Sequence, residues 1–180
     1  MFPDELKGGV DTNETYDIRD KIFSNISFSR TIVSNLTFTN CAFENCIFIR
    51  ATFDELEFHS CSFENCNFGK CRIKNTYIDP VSFSKCLNKK NDANIGIHLF
   101  QQLMRNFKDL DQPDFYRGAE YEFRLFQRAE IWYKLEKNQI NRCHGYSKIF
   151  KNLLNQWCFG YGIKIEYFVF ATSFMFVFFL

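Results

Sequence analysis

Residues 41–68 read CAFENCIFIRATFDELEFHSCSFENCNF, and every fifth residue of this stretch from Phe43 onward is Phe. The spacing continues on both sides, so that a large apolar residue stands at each of 13 positions, ten of them Phe. The column consists of Phe23, Phe28, Val33, Phe38, Phe43, Phe48, Phe53, Phe58, Phe63, Phe68, Ile73, Ile78 and Phe83. If about a third of residues were large and apolar at random, such a run would arise roughly once in a million trials. The period of five is therefore a genuine property of the chain.

A period of five residues fits neither ordinary secondary structure. On an α-helix, five residues turn about 140° beyond a full circle, so the column would spiral around the helix and bury on no face. On a flat strand, an odd period sends successive side chains to opposite faces. A chain that turns a corner every five residues keeps the whole column inside. The sequence therefore predicts a coiled, repetitive backbone.

The neighbouring columns agree with this interpretation. Small or apolar residues stand two positions before the Phe column, namely Ile26, Thr31, Leu36, Cys41, Cys46, Ala51, Leu56, Cys61, Cys66, Cys71, Thr76 and Val81. Asn recurs two positions after it, at Asn25, Asn35, Asn40, Asn45, Asn65 and Asn75. Asn bonds to its own backbone and tolerates left-handed geometry, which suits a turn. The small column is expected inside and the Asn column at the corners.

The units at residues 41–45 and 61–65 follow the pattern small residue, any residue, Leu or Phe, and two polar residues. In this respect residues 21–86 resemble the pentapeptide-repeat proteins. The resemblance implies a β-solenoid, a right-handed quadrilateral β-helix with four pentads, or about 20 residues, in each coil. The fold class expected for the chain is this solenoid followed by an α-helical region with a C-terminal hydrophobic helix.

Six of the eight cysteines lie in the repeat, at Cys41, Cys46, Cys61, Cys66, Cys71 and Cys86. They occupy the small inward column and lack the CxxC spacing typical of metal sites. The favoured interpretation is that they pack as small apolar residues, with a disulfide or a metal as the alternative. So many unpaired thiols indicate a reducing compartment.

Changes in composition and period divide the chain into six predicted segments. They are an N-terminal cap at 1–20, the pentapeptide-repeat β-helix at 21–86, a linker at 87–94, a helical hairpin at 95–142, a basic amphipathic juxtamembrane helix at 143–162 and a hydrophobic C-terminal segment at 163–180. Residues 1–20 are polar and acidic, which is not the pattern of a signal peptide.

Helical spacing replaces the five-residue period after the linker. The first apolar stripe contains Ile97, Phe100, Leu103, Met104, Phe107 and Leu110. Asp114 is the expected N-cap of a second helix over about residues 115–137. Its expected apolar stripe contains Tyr116, Ala119, Phe123, Phe126 and Tyr133. This hairpin is predicted to cap the open end of the Phe stack.

A third helix is predicted over about residues 146–157. Its apolar side contains Ile149, Phe150, Leu153, Leu154 and Trp157, whereas Lys148, Lys151 and Asn155 lie elsewhere. Residues 137–164 contain five basic residues and no acidic ones. This combination is typical of a helix that lies on a membrane surface. The alternative is a helix packed on its own domain.

Residues 167–180 contain no charge. A full span of the bilayer needs about 20 apolar residues. The segment is therefore a short membrane anchor, a truncated span or a buried terminal helix. Its basic N-terminal flank predicts that the protein is membrane-associated with the repeat domain in the cytoplasm.

The tail extends the resemblance to some bacterial pentapeptide-repeat membrane proteins. In these, a helical hairpin and a basic amphipathic helix ending near Gly-Tyr-Gly precede membrane segments, some of which look like a two-span ion-channel unit. The matching points here are residues 115–117 and 160–162.

The residues give no sign of catalytic chemistry. The three histidines, His59, His98 and His144, are far apart in sequence, and no spacing suggests a nucleophile–base pair, a metal triad or a phosphate loop. The predicted function is therefore a non-enzymatic scaffold or protein–protein interaction module, with no cofactor, whose cytoplasmic rod is anchored by C-terminal helices. The predicted partners are membrane lipid, through residues 145–180, and an unidentified protein, without nucleic acid. Homo-oligomerisation is left open.

Other functions stay open as alternatives. The chain could be the N-terminal part of an ion-channel-like pentapeptide-repeat membrane protein, or a secreted effector. A third alternative, implied by the resemblance, is a DNA mimic that protects gyrase. Such mimicry depends on an acidic rod, but residues 21–86 contain seven basic and six acidic residues.

Overall fold

The structure of the protein is a computed structural model that describes residues 5–7, 16–83 and 85–159, with side chains for residues 16–83 and 85–156. It shows a β-solenoid of about three turns followed by helices. The chain divides into two compact units, Met1–Phe123 and Arg124–Leu180. The first unit contains the solenoid.

The strands of the solenoid pair in parallel, each with its counterpart one coil away. They are β1 (Glu5–Lys7), β2 (Tyr16–Arg19), β3 (Ile22–Ser24), β4 (Ile32–Thr39), β5 (Ala42–Glu44), β6 (Thr52–His59), β7 (Ser62–Glu64), β8 (Arg72–Lys74) and β9 (Tyr77–Ile78). One sheet follows the order β1-β4-β6-β8, with β2 also on β4 and β9 on β6, and another follows β3-β5-β7. Val33 lies opposite Phe53, and Phe53 opposite Ile73, so each coil contains the 20 residues expected.

The corners of the coil form where the Asn column was predicted to turn. Every fifth residue from 20 to 75 has a positive φ, between 45° and 62°. Only some of these residues are Asn, since Arg50, Glu55 and Lys70 adopt the same geometry. Hydrogen bonds between coils hold the corners in place, as from the Asn40 amide to the His59 carbonyl at 2.9 Å. The left-handed corner prediction is confirmed.

The Phe column forms the interior of the solenoid. Phe63 stacks between Phe43 and Phe83, with ring centroids 4.9 Å apart on each side. It also meets the edges of Phe58 and Phe68 at 5.5 and 5.3 Å. Offset-stacked and edge-to-face contacts are the favourable geometries for aromatic pairs. The interior is therefore a regular lattice of rings that extends through the coils.

The cysteines of the small column are free and buried, and they are Cys41, Cys46, Cys61, Cys66, Cys71 and Cys86. The thiol of Cys61 donates a hydrogen bond to the carbonyl of Phe38 at 3.3 Å, and the thiol of Cys66 to that of Phe43 at 3.2 Å. Burial raises the pKa of Cys61 and of Cys66 to about 11. Such thiols are neutral and unreactive at physiological pH. The predicted packing role is confirmed.

Helix α1 (Ala93–Asp109) covers the last coil, which is where the cap was predicted. Its Phe100 ring lies edge-on to Phe83 at 6.4 Å. Asn106 is only 2% exposed, and its amide bonds to the backbone of Thr76 in the last coil. Asn106 Oδ1 accepts from the Thr76 N–H at 2.9 Å, and Nδ2 donates to the Thr76 carbonyl at 2.7 Å. The Asn106 side chain thus forms hydrogen bonds with the N–H and the carbonyl of Thr76, the two backbone groups that a further coil would have bonded.

Two predictions about helix α2 (Pro113–Glu136) are wrong. The helix begins at Pro113, so Asp114 lies in its first turn and is not the N-cap; proline suits this position because it has no N–H to leave unpaired. Tyr133 does not join a buried stripe, because its side chain is 45% exposed beside Lys137, whose Nζ lies 5.9 Å from the ring.

Helix α3 (Arg142–Phe159) belongs to the second unit, together with the end of α2. Gly145 of α3 is buried against Leu135 of α2, and a Cβ on Gly145 would lie 2.4 Å from Leu135 Cδ2. A larger residue at position 145 would require the Leu135 side chain to shift. Ile149, one turn further along α3, is also buried.

Several predicted features fall outside the described residues. These are residues 160–162, the hydrophobic segment at 163–180 and most of the N-terminal cap at 1–20, of which β1 and β2 are described and extend the sheet beyond β4. Among the helices that the structure describes, none is both long and apolar enough to cross a membrane.

Candidate functional site

The histidines lie in separate environments. His59, on a solenoid wall, bonds through Nε2 to Glu57 at 2.8 Å and stacks on Tyr77 at 5.0 Å. His98 projects from α1 into a pocket lined by basic residues. His144 lies on α3. Within residues 16–83 and 85–156, no group of three or more His, Cys, Asp or Glu side chains could hold a metal ion.

Outward side chains form ladders along the walls, because residues 20 apart lie side by side. Glu44 lies opposite Glu64, and Asp54 opposite Lys74, both as the repeat predicts. Parallel strands are about 4.8 Å apart, so successive rungs of a ladder are close neighbours. The charge of each wall is therefore set by residues that are distant in sequence.

One corner of the solenoid carries a basic ladder. Arg30, Arg50 and Lys70 occupy this corner in successive coils, all with positive φ. The Arg30 amide bonds to the Ile49 carbonyl at 3.0 Å, and the Arg50 amide to the Gly69 carbonyl at 2.9 Å. The hydrogen bonds between coils thus hold like charges in a column, an arrangement that is unfavourable between neighbouring strands.

The ladder opens into a pocket between the last coils and helix α1. The pocket has a volume of about 580 Å³ and is lined by Arg50, Thr52, Lys70, Arg72, Lys74, His98, Gln102 and Arg105. Five of these side chains are permanently basic and none is acidic. We call this the basic pocket.

The cations of the basic pocket are not neutralised by carboxylates. Among the residues that the structure describes, none of the five cations has a carboxylate partner within 4.0 Å. The neighbouring acid is Asp54, opposite Lys74, which accepts a hydrogen bond from Asn75 at 3.4 Å. The pocket consequently concentrates five positive charges, none of which forms an ion pair with a carboxylate of the described residues.

His98 Nδ1 adds an unused polar atom to the basic pocket. This nitrogen is buried and has no hydrogen-bond partner. Burial lowers the pKa of His98 below its usual value, and Arg105 and Lys70 lower it further. A bound anion would favour the protonated ring.

A second surface lies on α3 in the other unit. Tyr146, Phe150, Leu153 and Leu154 share one side of the helix by their spacing, and all are exposed, Phe150 by 64% and the two leucines by 45% each. We call this the apolar stripe. Ile149 was predicted to belong to it but is buried instead.

Basic residues accompany the apolar stripe. Lys148 and Lys151 are exposed on the other side of α3, and residues 137–159 contain four basic residues and no acidic ones. Trp132 of α2, 6.1 Å from Tyr146 between ring centroids, is a further exposed aromatic side chain beside the stripe. Exposed apolar side chains beside basic residues are features that helices at membrane interfaces share.

Comparison with known proteins identifies the repeat. Residues 34–69 match the family model of pentapeptide repeats, in eight copies. No curated protein and no solved structure matches the chain. The matched residues contain most of β4 and the whole of β5, β6 and β7, a stretch in which the five-residue period and the left-handed corners are both complete. Residues 34–69, the middle of the solenoid, are therefore similar to pentapeptide repeats.

Proposed function

We propose that this pentapeptide-repeat protein is a non-enzymatic scaffold held at the surface of an anionic membrane. In this proposal, helix α3 and the residues up to 180 contact the lipid, and the solenoid lies on the cytoplasmic side, where its walls bind a protein partner. The observation that carries the proposal is the exposed apolar stripe on the basic helix α3.

The apolar stripe has a clear energetic preference for a lipid interface. Full burial of a Phe or Leu side chain contributes about 1.5–3 kcal/mol. The stripe residues are roughly half-exposed, so burial of the exposed part of each side chain in lipid would contribute about 1 kcal/mol more. Each Lys or Arg near an anionic bilayer adds about 1 kcal/mol. Together these contributions support reversible surface binding.

Charge favours lipid over a protein partner for this helix. The absence of acidic residues from 137–159 gives α3 a uniformly positive flank, which complements anionic headgroups. The uncharged sequence of residues 167–180 continues the apolar character after the helix. A basic segment beside an apolar one also supports the proposed cytoplasmic location of the repeat domain.

The solenoid is suited to a binding role rather than to catalysis. Its interior is filled by stacked rings, and its walls present fixed ladders of side chains. DNA mimicry receives no support from these walls, because Arg30, Arg50 and Lys70 make one corner positive where a mimic needs acidity.

Flotation of the full chain with vesicles tests the proposal. Vesicles of phosphatidylcholine with about 30% phosphatidylserine should recruit the protein, and vesicles without phosphatidylserine should recruit it less. Because Phe150→Ser with Leu153→Ser removes about 2 kcal/mol of interfacial burial, the variant should bind at least about tenfold more weakly.

Val81→Ser is the matched control, because Val81 is an exposed apolar residue on the solenoid. It should bind vesicles as the unmodified chain does. If the Phe150 and Leu153 variant floats as well as the Val81 variant, α3 is not the lipid contact and the proposal fails.

A further inference from the structure

We propose that the basic pocket is a binding site for a compact anion that carries two or more phosphate groups. This inference concerns the solenoid and α1, and it does not depend on the membrane role of α3. It rests on the shape, charge and unused hydrogen-bonding capacity of the pocket.

The arrangement of the cations explains why the ligand is multiply charged. Arg50 and Lys70 are consecutive rungs of one corner, Arg72 and Lys74 project from β8, and Arg105 projects from α1. A single phosphate would neutralise two charges at most. Five cations around one cavity match an anion with several phosphate groups.

The hydrogen-bonding groups of the pocket are suited to phosphate oxygens. The guanidinium groups of Arg50, Arg72 and Arg105 can each donate in a bidentate manner. Thr52 and Gln102 provide neutral donors on the same surface, and they are only partly exposed. The imidazole of His98 belongs to the same lining.

The volume and lining restrict the rest of the ligand. A cavity of about 580 Å³ accommodates a small molecule. Apart from the imidazole of His98, the lining contains no aromatic ring on which a nucleobase could stack. The pocket therefore recognises the phosphate groups themselves, whether on a soluble molecule or on a phosphorylated lipid headgroup.

The fold holds the pocket in place without a ligand. A hydrogen bond between coils joins the Arg50 amide to the Gly69 carbonyl beside Lys70, and the Asn106–Thr76 pair fixes α1 on the last coil. Arg105 is adjacent to Asn106, so its backbone position is set by this pair. A preformed site loses little conformational entropy on binding.

Isothermal titration of the full chain at physiological ionic strength provides the test, with inositol hexakisphosphate and inorganic pyrophosphate as probes. Saturable binding of at least one probe is expected. Loss of one hydrogen bond to a charged group weakens binding roughly tenfold or more. Lys70→Gln and Arg105→Gln should therefore each weaken binding of the probe by about this factor. Both side chains are exposed, so these variants should unfold at the same temperature as the unmodified chain.

Lys85→Gln is the matched control, because it removes one exposed positive charge outside the basic pocket. It should bind the probe as the unmodified chain does. An equal loss for Lys85→Gln and Lys70→Gln would show a general charge effect and overturn the proposal. The absence of saturable binding for both soluble probes and for the vesicles described next would also overturn it.

Vesicles distinguish the two sources of phosphate. Phosphatidylcholine vesicles with about 5% phosphatidylinositol bisphosphate are compared with vesicles of equal charge made with phosphatidylserine. A preference for the phosphoinositide that Lys70→Gln abolishes assigns the site to a lipid headgroup, whereas binding of soluble probes alone assigns it to a free phosphate compound. Loss of all vesicle binding on Phe150→Ser with Leu153→Ser, with probe titration unchanged, would separate this site from the α3 contact.

Discussion

Asn106→Leu should lower the free energy of unfolding of the first unit by about 3 kcal/mol. The substitution removes both hydrogen bonds to Thr76, at 2.9 and 2.7 Å, and leaves a backbone N–H and a carbonyl without partners. Thr76 is fully buried, so water cannot replace the lost bonds. An unsatisfied buried polar group costs about 1–3 kcal/mol, and there would be two. Urea denaturation followed by circular dichroism measures the change.

Asn94→Ala is the control for the Asn106 prediction, because Asn94 lies on the same helix and is exposed. It should change stability by no more than about 0.5 kcal/mol. A similar small effect for Asn106→Leu would show that α1 does not seal the last coil through this amide. The capping role given to Asn106 would then be wrong.

Phe63→Ala should destabilise the solenoid by about 3–5 kcal/mol. The Phe63 ring is fully buried and stacks on Phe43 and Phe83, so its removal leaves a cavity in the middle of a ring column. Because the backbone of each coil is hydrogen-bonded to the next, the walls cannot collapse to fill the cavity. The same denaturation experiment reports the loss.

Phe23→Ala provides the comparison within the same column. Phe23 is partly exposed, and among the described residues its one stacked neighbour is Phe43, at 4.8 Å. Less apolar area is lost, so the cost should be about half that of Phe63→Ala or less. Equal costs at the two positions would contradict the idea that stacking through the interior carries the stability of the solenoid.

The solenoid could be predicted from sequence because its geometry is local and repeated. A five-residue period leaves one consistent backbone, and it correctly places the Phe column inside from Val33 to Phe83 and the corners two residues later. Even the non-Asn corners at Arg50 and Lys70 follow from the period, since both residues stand at the fifth position and have a positive φ.

The sequence predicted that helices cap the solenoid, but it did not predict the hydrogen bonds between Asn106 and Thr76 that fix the cap. Asn106 lies on the same helical side as Leu99 and Leu103, so a polar residue on the apolar side was the visible signal. Its partner, the backbone of Thr76, is 30 residues earlier in the chain. Only the placement of α1 on the last coil brings the two together.

The basic pocket could be predicted only in part. The spacing of 20 between Arg50 and Lys70 is visible in the sequence and implies that they are neighbours once the coil length is known. Arg105 and His98 come from α1, and no sequence period relates α1 to the solenoid. The numbers of basic and acidic residues in the repeat are nearly equal, so the total charge of the repeat gave no sign of this local concentration of positive charge.

The most direct test of the membrane proposal is tryptophan quenching by brominated lipid in anionic vesicles. The chain contains two tryptophans, so replacing both Trp132 and Trp157 with Phe leaves a silent background for Phe150→Trp. Asn155→Trp in the same background is the control, because Asn155 is exposed on the opposite side of α3. Insertion of the apolar stripe predicts strong quenching of the Trp at position 150 and little at 155. Equal quenching at the two positions, or none at 150, would contradict the proposal that α3 lies on the membrane by its apolar stripe.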